Sequence, residues 1–295
     1  MEIRTLRYFL AAAREENMSR AADILHISQP TLSKAVHSLE EELGTKLFIR
    51  KSFSVQLTEE GILLRKRAAD LIEMADKIES EFQTLDDLTG GDVYFGLAES
   101  YEIRHLARVI RDFTVLYPNF HYHITSGDTE QVTEKLDKGI LDFAVLVEQP
   151  DETKYRYQKL PGSDTWGLVF RSDDPLARKK KITYEDLKDL PLYISEQSKE
   201  KDLPRWCGEK MKDLNFAGYF RLAYNGSVFA KEGLGYLLTF DHLVDTSPES
   251  GLVFRPLSPK LENPIYLIYR KYPAFSPIAE KFLEAMEDYC SPAQK

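Results

Sequence analysis

The chain has 295 residues and a formal net charge of −9, with 43% hydrophobic residues and two cysteines, Cys207 and Cys290. This length suggests about two domains with sizeable cores. Two distant cysteines exclude a disulfide framework, and the absence of a long apolar run or a legible signal peptide leads to the expectation of a soluble cytoplasmic protein. Residues 1–67 carry eleven Lys and Arg against nine Asp and Glu, a balance of +2, which leaves −11 for the rest. Any contact with nucleic acid must therefore come from local placement of charge rather than from the bulk.

Residues 3–13 read as a helix with Ile3, Leu6, Phe9, Leu10 and Ala13 on one stripe. Two short helices follow, the first capped by Ser19 and running past Ala22 to Leu25, with His26 and Ile27 as the turn. Ser28 caps the second, and Pro30 fits its first turn, where a missing N–H costs nothing. Leu32, Val36, Leu39 and Leu43 fall on one face of that helix. Gln29, Thr31, Ser33, Lys34, His37 and Ser38 fall on the other. On periodicity alone, an amphipathic pair in an ordinary globular domain fits as well as a helix-turn-helix. The polar front suits the major groove, where base edges present a donor/acceptor code. After Gly44, residues 47–58 read as two short strands around a turn at 51–54, a wing from which Arg50 and Lys51 can reach phosphates.

From Thr58 a helical pattern runs to about Leu88. Leu64, Ala68, Leu71, Ala75, Ile78, Phe82 and Leu85 alternate in steps of four and three, a heptad seam that asks for a partner helix. Packing against the chain's own body is the alternative. Thr89-Gly90-Gly91 reads as a break and hinge. Beyond it, strands at 93–96, 120–125 and 141–147 alternate with helices at 106–116 and 132–138, an α/β pattern with a mostly parallel sheet. A second such unit follows: strands at 166–170, 192–195, 219–224 and 265–270, and helices at 184–190, 202–214 and 227–231. A closing helix spans 276–289. Clusters such as Glu40-Glu41-Glu42 read as solvated helix faces.

Several motifs carry a resemblance. They are Ala21-Ala22 with Leu25; Ser28-Gln29-Pro30-Thr31-Leu32-Ser33; and Leu39 to Gly44 leading to Leu47-Phe48-Ile49-Arg50, then Leu57-Thr58-Glu59-Glu60-Gly61. Further on stand Leu116-Tyr117-Pro118, Gly139 to Ala144, Asp174-Pro175-Leu176-Ala177 and Gly233-Leu234-Gly235. This set resembles the LysR-type transcriptional regulators and covers nearly the whole chain. The resemblance implies a winged helix-turn-helix domain at 1–58, a linker dimerisation helix at 59–89 and an effector domain at 90–295. The last would be two-lobed α/β, like type II periplasmic binding proteins, with one lobe about 91–161 and 266–295 and the other about 162–265.

The implied DNA-binding residues are Ser28, Gln29, Pro30, Thr31, Ser33, Lys34, His37, Ser38, Arg50 and Lys51. His37 and Phe53 depart from the basic residues frequent at their positions. The implied cleft residues are Ser100, Tyr101, Thr129, Ser195 and Gln197, with Ser198 beside them; helix capping alone is the competing role for all but Tyr101, which would fill space there. Glu99 would disfavour a small carboxylate if it faced the cleft, which leaves a cationic or neutral effector open. The implied partners are promoter DNA, a small-molecule effector, a twin chain through the linker helix, a homotetramer and RNA polymerase. No catalytic residue, cofactor or metal site is expected; His121 and His123 share a strand face but lack further ligands. Cys207 reads as a structural thiol rather than a redox sensor. The alternatives are an enzyme on the same scaffold with an appended helix-turn-helix, and an architectural DNA binder without a ligand.

Overall fold

The computed structural model describes residues 1–51, 54–84 and 89–291. The chain forms two compact units, Met1–Thr84 and Leu85–Lys295. No helix among the described residues is long and apolar enough to cross a membrane.

In the first unit, α1 (Ile3–Glu15), α2 (Met18–Ile24) and α3 (Gln29–Leu43) are followed by the strands β1 (Phe48–Arg50) and β2 (Val55–Leu57) and by α4 (Glu59–Thr84). Leu6, Phe9, Ala12, Ala21, Ala22, Leu32, Val36 and Leu39 form the core, closed by Leu47, Phe48, Val55 and Ala68. Ile3 and Leu43, expected on the apolar stripes, are exposed at helix ends. The cap of α2 is Asn17, not Ser19: its side chain accepts from the Ser19 and Arg20 N–H groups. His26 takes a left-handed conformation (φ 54°) that turns the chain, and Gly44 (φ 67°) ends α3. β1 and β2 pair antiparallel, Phe48 opposite Leu57 and Arg50 opposite Val55. Phe53 lies outside the described residues.

Thr58 starts α4. Its hydroxyl accepts from the Gly61 N–H (3.0 Å) and donates to the Lys46 carbonyl (2.7 Å). Gly61 is required there, since a Cβ would lie 2.2 Å from the Leu47 carbonyl oxygen. The heptad seam divides. Ala68 is buried and Leu64 half-buried against the unit's own core, whereas Leu71, Ile78 and Phe82 are 44%, 46% and 71% exposed. Leu85 lies outside the described residues.

The second unit holds β3 (Gly90–Leu97), α5 (Arg104–Leu116), β4 (Asn119–Ser126), α6 (Thr129–Asp137), β5 (Phe143–Leu146) and β6 (Tyr155–Arg171). Next come β7 (Ile182–Thr183), α7 (Tyr184–Leu187), β8 (Leu192–Ile194), α8 (Glu196–Lys201), α9 (Leu203–Cys207) and β9 (Phe216–Tyr219). The unit ends with α10 (Ala223–Lys231), β10 (Tyr236–Phe240), β11 (Leu252–Ser258), β12 (Glu262–Arg270) and α11 (Pro277–Cys290). Strand order is β4-β3-β5-β12-β6-β10-β8-β9, with β11 beside β6 and β7. β3 is parallel to β4 and β5, and β8 is parallel to β9 and β10. Each parallel set covers its own core: Phe95, Phe143, Leu267 and Phe282 in one lobe, Trp166, Leu168, Leu192 and Leu238 in the other. The long strands β6 and β12 run antiparallel through both lobes, with a register shift between Pro264 and Tyr266.

The structure departs from the sequence reading at several elements. Gly90 and Gly91 open β3, and glycine is required at 90, where a Cβ would lie 2.2 Å from the Asn119 backbone. Residues 219–224 are not one strand; β9 ends at Tyr219 and α10 begins at Ala223. The first half of β6 and all of β11 escape the sequence reading, since Pro161-Gly162 and Pro256 interrupt their alternation.

Candidate functional site

α3 presents a polar face over an apolar back. Leu32, Val36 and Leu39 are buried, and Ser28, Gln29, Pro30, Thr31, Lys34, His37 and Ser38 are exposed, with Ser33 half-exposed. The Ser28 hydroxyl accepts from the Thr31 N–H (3.3 Å) and lies 2.7 Å from the Thr31 hydroxyl. Gln29 Nε2 donates to Ser33 Oγ (2.8 Å), which holds the amide against the helix. His37 Nε2 lies 3.6 Å from Glu41 Oε1. Arg50 and Lys51 are exposed on the wing, and the Lys51 N–H donates to the Ser54 carbonyl (2.9 Å).

Glu40 corrects the reading of its acidic run as solvated. It is 5% exposed. Its Oε1 accepts from the Leu47 (2.9 Å) and Phe48 (3.2 Å) N–H groups, and its Oε2 from Lys46 Nζ (2.8 Å). Burial pushes this carboxyl upward, but the Lys46 ammonium and the two N–H groups outweigh it, so it ionises below the ordinary glutamate range. Glu40 thus fixes the wing to the recognition helix.

In the second unit a cleft of about 760 Å³ opens between the lobes. Thr129, Ser195, Gln197 and Ser198 line it. Thr129 and Gln197, from opposite lobes, bond to each other: Gln197 Nε2 donates to Thr129 Oγ1 (2.9 Å) and the Thr129 N–H to Gln197 Oε1 (3.3 Å). Ser195 caps α8, accepting from the Ser198 N–H (3.2 Å) and donating to the Ser198 hydroxyl (2.7 Å). Capping and cleft lining therefore coincide at Ser195.

Ser100 and Tyr101 are not among the cleft residues. Ser100 is buried, donating to Asp164 Oδ2 (2.5 Å) and accepting from the Glu102 N–H (3.0 Å). Tyr101 is exposed, with its ring 4.7 Å from that of His242 and 5.0 Å from the Arg104 guanidinium. Asp164 belongs to a buried network in which Glu102 also bonds His105 (3.0 Å) and Arg104, and His105 meets the Tyr289 hydroxyl (2.7 Å). Burial, with the Glu102 charge adding to it, raises the Asp164 carboxyl to about 6.

The residue beside Ser100 does face the cleft. Glu99 Oε2 accepts from the Ala223 N–H (2.9 Å) at the start of α10, across the lobes. Burial raises its carboxyl and the Ala223 N–H opposes that rise. Sequence reasoning missed this bond because Leu222 offers α10 no cap, and the carboxylate that serves instead lies 124 positions earlier.

Of the other candidates, His123 bonds Asp92 (2.6 Å) and stacks on Tyr94. Among the described residues no group of three or more His, Cys, Asp or Glu side chains could hold a metal ion. Cys207 and Cys290 pack against different cores, and burial pushes both thiols up, away from the reactive thiolate.

Comparison with known proteins accounts for both units. A family model described as "Bacterial regulatory helix-turn-helix protein, lysR family" matches residues 3–62, and one described as "LysR substrate binding domain" matches residues 86–291. The HTH-type transcriptional regulator YtlI of Bacillus subtilis (strain 168) is 27% identical over 263 residues, 87% of this chain and 83% of that protein. The DNA-binding transcriptional dual regulator OxyR of Escherichia coli (strain K12) is 26% identical over 276 residues, 92% of this chain and 90% of its own. Full-length CbnR, solved in complex with its target DNA, superposes with a TM-score of 0.77 at 19% identity, covering 98% of this chain and all (100%) of the other, a likeness of fold. The chain belongs to the LysR family of bacterial transcriptional regulators, DNA-binding proteins in which a helix-turn-helix domain precedes an effector-binding α/β domain.

Proposed function

We propose that this regulator is a cytoplasmic, non-enzymatic homodimer that pairs further into a tetramer on promoter DNA. The exposed half of the α4 seam makes the dimer. α3 of each copy enters a major groove, where Gln29, Thr31, Ser33 and Ser38 meet base edges. Ser28, Pro30, Lys34, His37, Arg50 and Lys51 set its register against the backbone. A small molecule held by Thr129, Ser195 and Gln197 shifts the lobe packing and, through it, the grip on DNA and the access of RNA polymerase. The observation that carries this reading is the exposed polar face of α3 over an apolar back in which Leu32, Val36 and Leu39 are buried.

The test is fluorescence anisotropy on DNA from upstream of the regulator's own gene against a scrambled sequence at fixed salt. Wild type should prefer the upstream DNA. Gln29→Ala should lose about ten- to a hundredfold of that preference, the worth of one bidentate base contact. Equal, weak binding of wild type to both DNAs would refute the assignment of α3 on this DNA.

A further inference from the structure

The charge on the cleft walls is one-sided. Five carboxylates line it, from Glu99, Asp128, Glu130, Glu196 and Glu200, against two cations, Lys201 and Arg221. Both cations already face an acid: Lys201 Nζ lies 2.8 Å from Glu148 and Arg221 Nη1 3.9 Å from Asp128. An anionic ligand would face five carboxylates across the cleft, with Lys201 already ion-paired and only the exposed Arg221, loosely held 3.9 Å from Asp128, to receive it. It would also find the start of α10, a natural anion seat, already filled by the chain's own Glu99 carboxylate.

Glu99 is half-buried, whereas Glu130, Glu196 and Glu200 are exposed, and it is only half engaged. Oε2 takes the Ala223 N–H, and Oε1 has no hydrogen-bond partner among the described residues. The apolar wall includes Trp166 and Phe240, whose rings meet edge to face at 4.5 Å. Carboxylates favour an ammonium or guanidinium group, which gains from charge-assisted hydrogen bonds to them. The cavity volume suits a small organic molecule rather than a bare ion.

We infer that the cleft takes a cationic effector, an amine- or guanidine-bearing small molecule whose charged head is held by Glu99. The inference rests on the effector reading of the cleft. Glu99→Gln is a clean probe, because the amide oxygen can still accept the Ala223 N–H while the charge is removed.

Thermal melting of the full chain with two trios, matched in shape and differing in charge, tests it. One trio is tyramine, tyrosol and para-hydroxyphenylpropionate; the other is putrescine, butanediol and adipate. An amine should raise the Tm of wild type while its carboxylate twin does not. Titration should show that amine weakened about tenfold or more in Glu99→Gln, and about threefold in Glu200→Gln on the exposed side of α8. A stabilising carboxylate, or an amine bound equally by wild type and Glu99→Gln, overturns the assignment. Silence from both amines also overturns it. In that case a shift from an alcohol or carboxylate keeps the cleft as an effector site, whereas silence from all six compounds tells against the effector reading too.

Discussion

Replacing Glu40 by alanine removes the acceptor for two buried N–H groups. The Leu47 and Phe48 N–H groups both donate to Glu40 Oε1, and neither backbone has another route to water, since Leu47 and Phe48 are buried. Leaving one buried donor unmade costs about 1–3 kcal/mol. The Lys46 contact adds little, because the lysine is 68% exposed. The expected loss is therefore about 3 kcal/mol. For a unit of this size it should lower the Tm of the first unit by more than about 10 °C. Glu40→Gln keeps an acceptor for the N–H pair and should lose less than half as much. The assay is thermal unfolding by circular dichroism, with hydrogen exchange read at the Leu47 and Phe48 amides. The folded carboxyl ionises below its unfolded value, so its contribution is present above the unfolded pKa and lost as pH falls through the folded one. The gap between wild type and Glu40→Ala should narrow accordingly in acid. A Glu40→Ala protein within about 0.5 kcal/mol of wild type at neutral pH, with both amides still protected, would refute the account of Glu40 as the anchor of the wing.

Ile78 is 46% exposed on the seam of α4, so Ile78→Asp should leave the folded chain within about 0.5 kcal/mol of wild type. Sedimentation velocity should nevertheless show the dimer shifted to monomer; an unchanged dimer would mean that α4 does not carry the association. Asp164, held at about 6 by burial, has a folded value above its unfolded one. The folded state then binds the extra proton between about pH 4 and 6, and stability falls as pH rises through that window. Asp164→Asn should flatten that slope and melt higher than wild type at pH above 7; a slope unchanged by the substitution would assign it to another group.

The helix-turn-helix was legible because its signals are local: a capping serine, Pro30 in the first turn and a buried stripe at helical spacing. What escaped depended on distant partners. Asn17 rather than Ser19 caps α2 because the helix starts two residues earlier than the apolar pattern does. Glu40 looked like its solvated neighbours, since nothing in an acidic run tells which member turns toward a wing seven residues on. Leu64 and Ala68 carried the same heptad signal as Ile78 and Phe82. Periodicity reports an apolar stripe and not what covers it, here the unit's own core for one half only. Ser100 and Glu99 are neighbours in the turn that follows β3, where no period fixes which way each side chain points. The side chain nominated for the cleft turned to Asp164, and its neighbour faced Ala223.

The bonds that close the cleft also set what an effector must do. Glu99 to Ala223 and the reciprocal pair between Thr129 and Gln197 join the lobes with no ligand needed. At about 1 kcal/mol net for each, the three favour the closed arrangement by about 3 kcal/mol. That corresponds to about two decades in an equilibrium constant. A ligand that merely fills the cavity binds both arrangements alike and shifts nothing, however tight it is. A ligand that takes over Glu99, Thr129 or Gln197 removes one of these bonds as it forms its own, so its binding energy differs between the open and closed lobes. On the proposed reading, recognition and response therefore reside in the same few side chains. Affinity alone would then be a poor guide to which compounds regulate; the ones that matter are those whose binding is altered by substitution at these three positions.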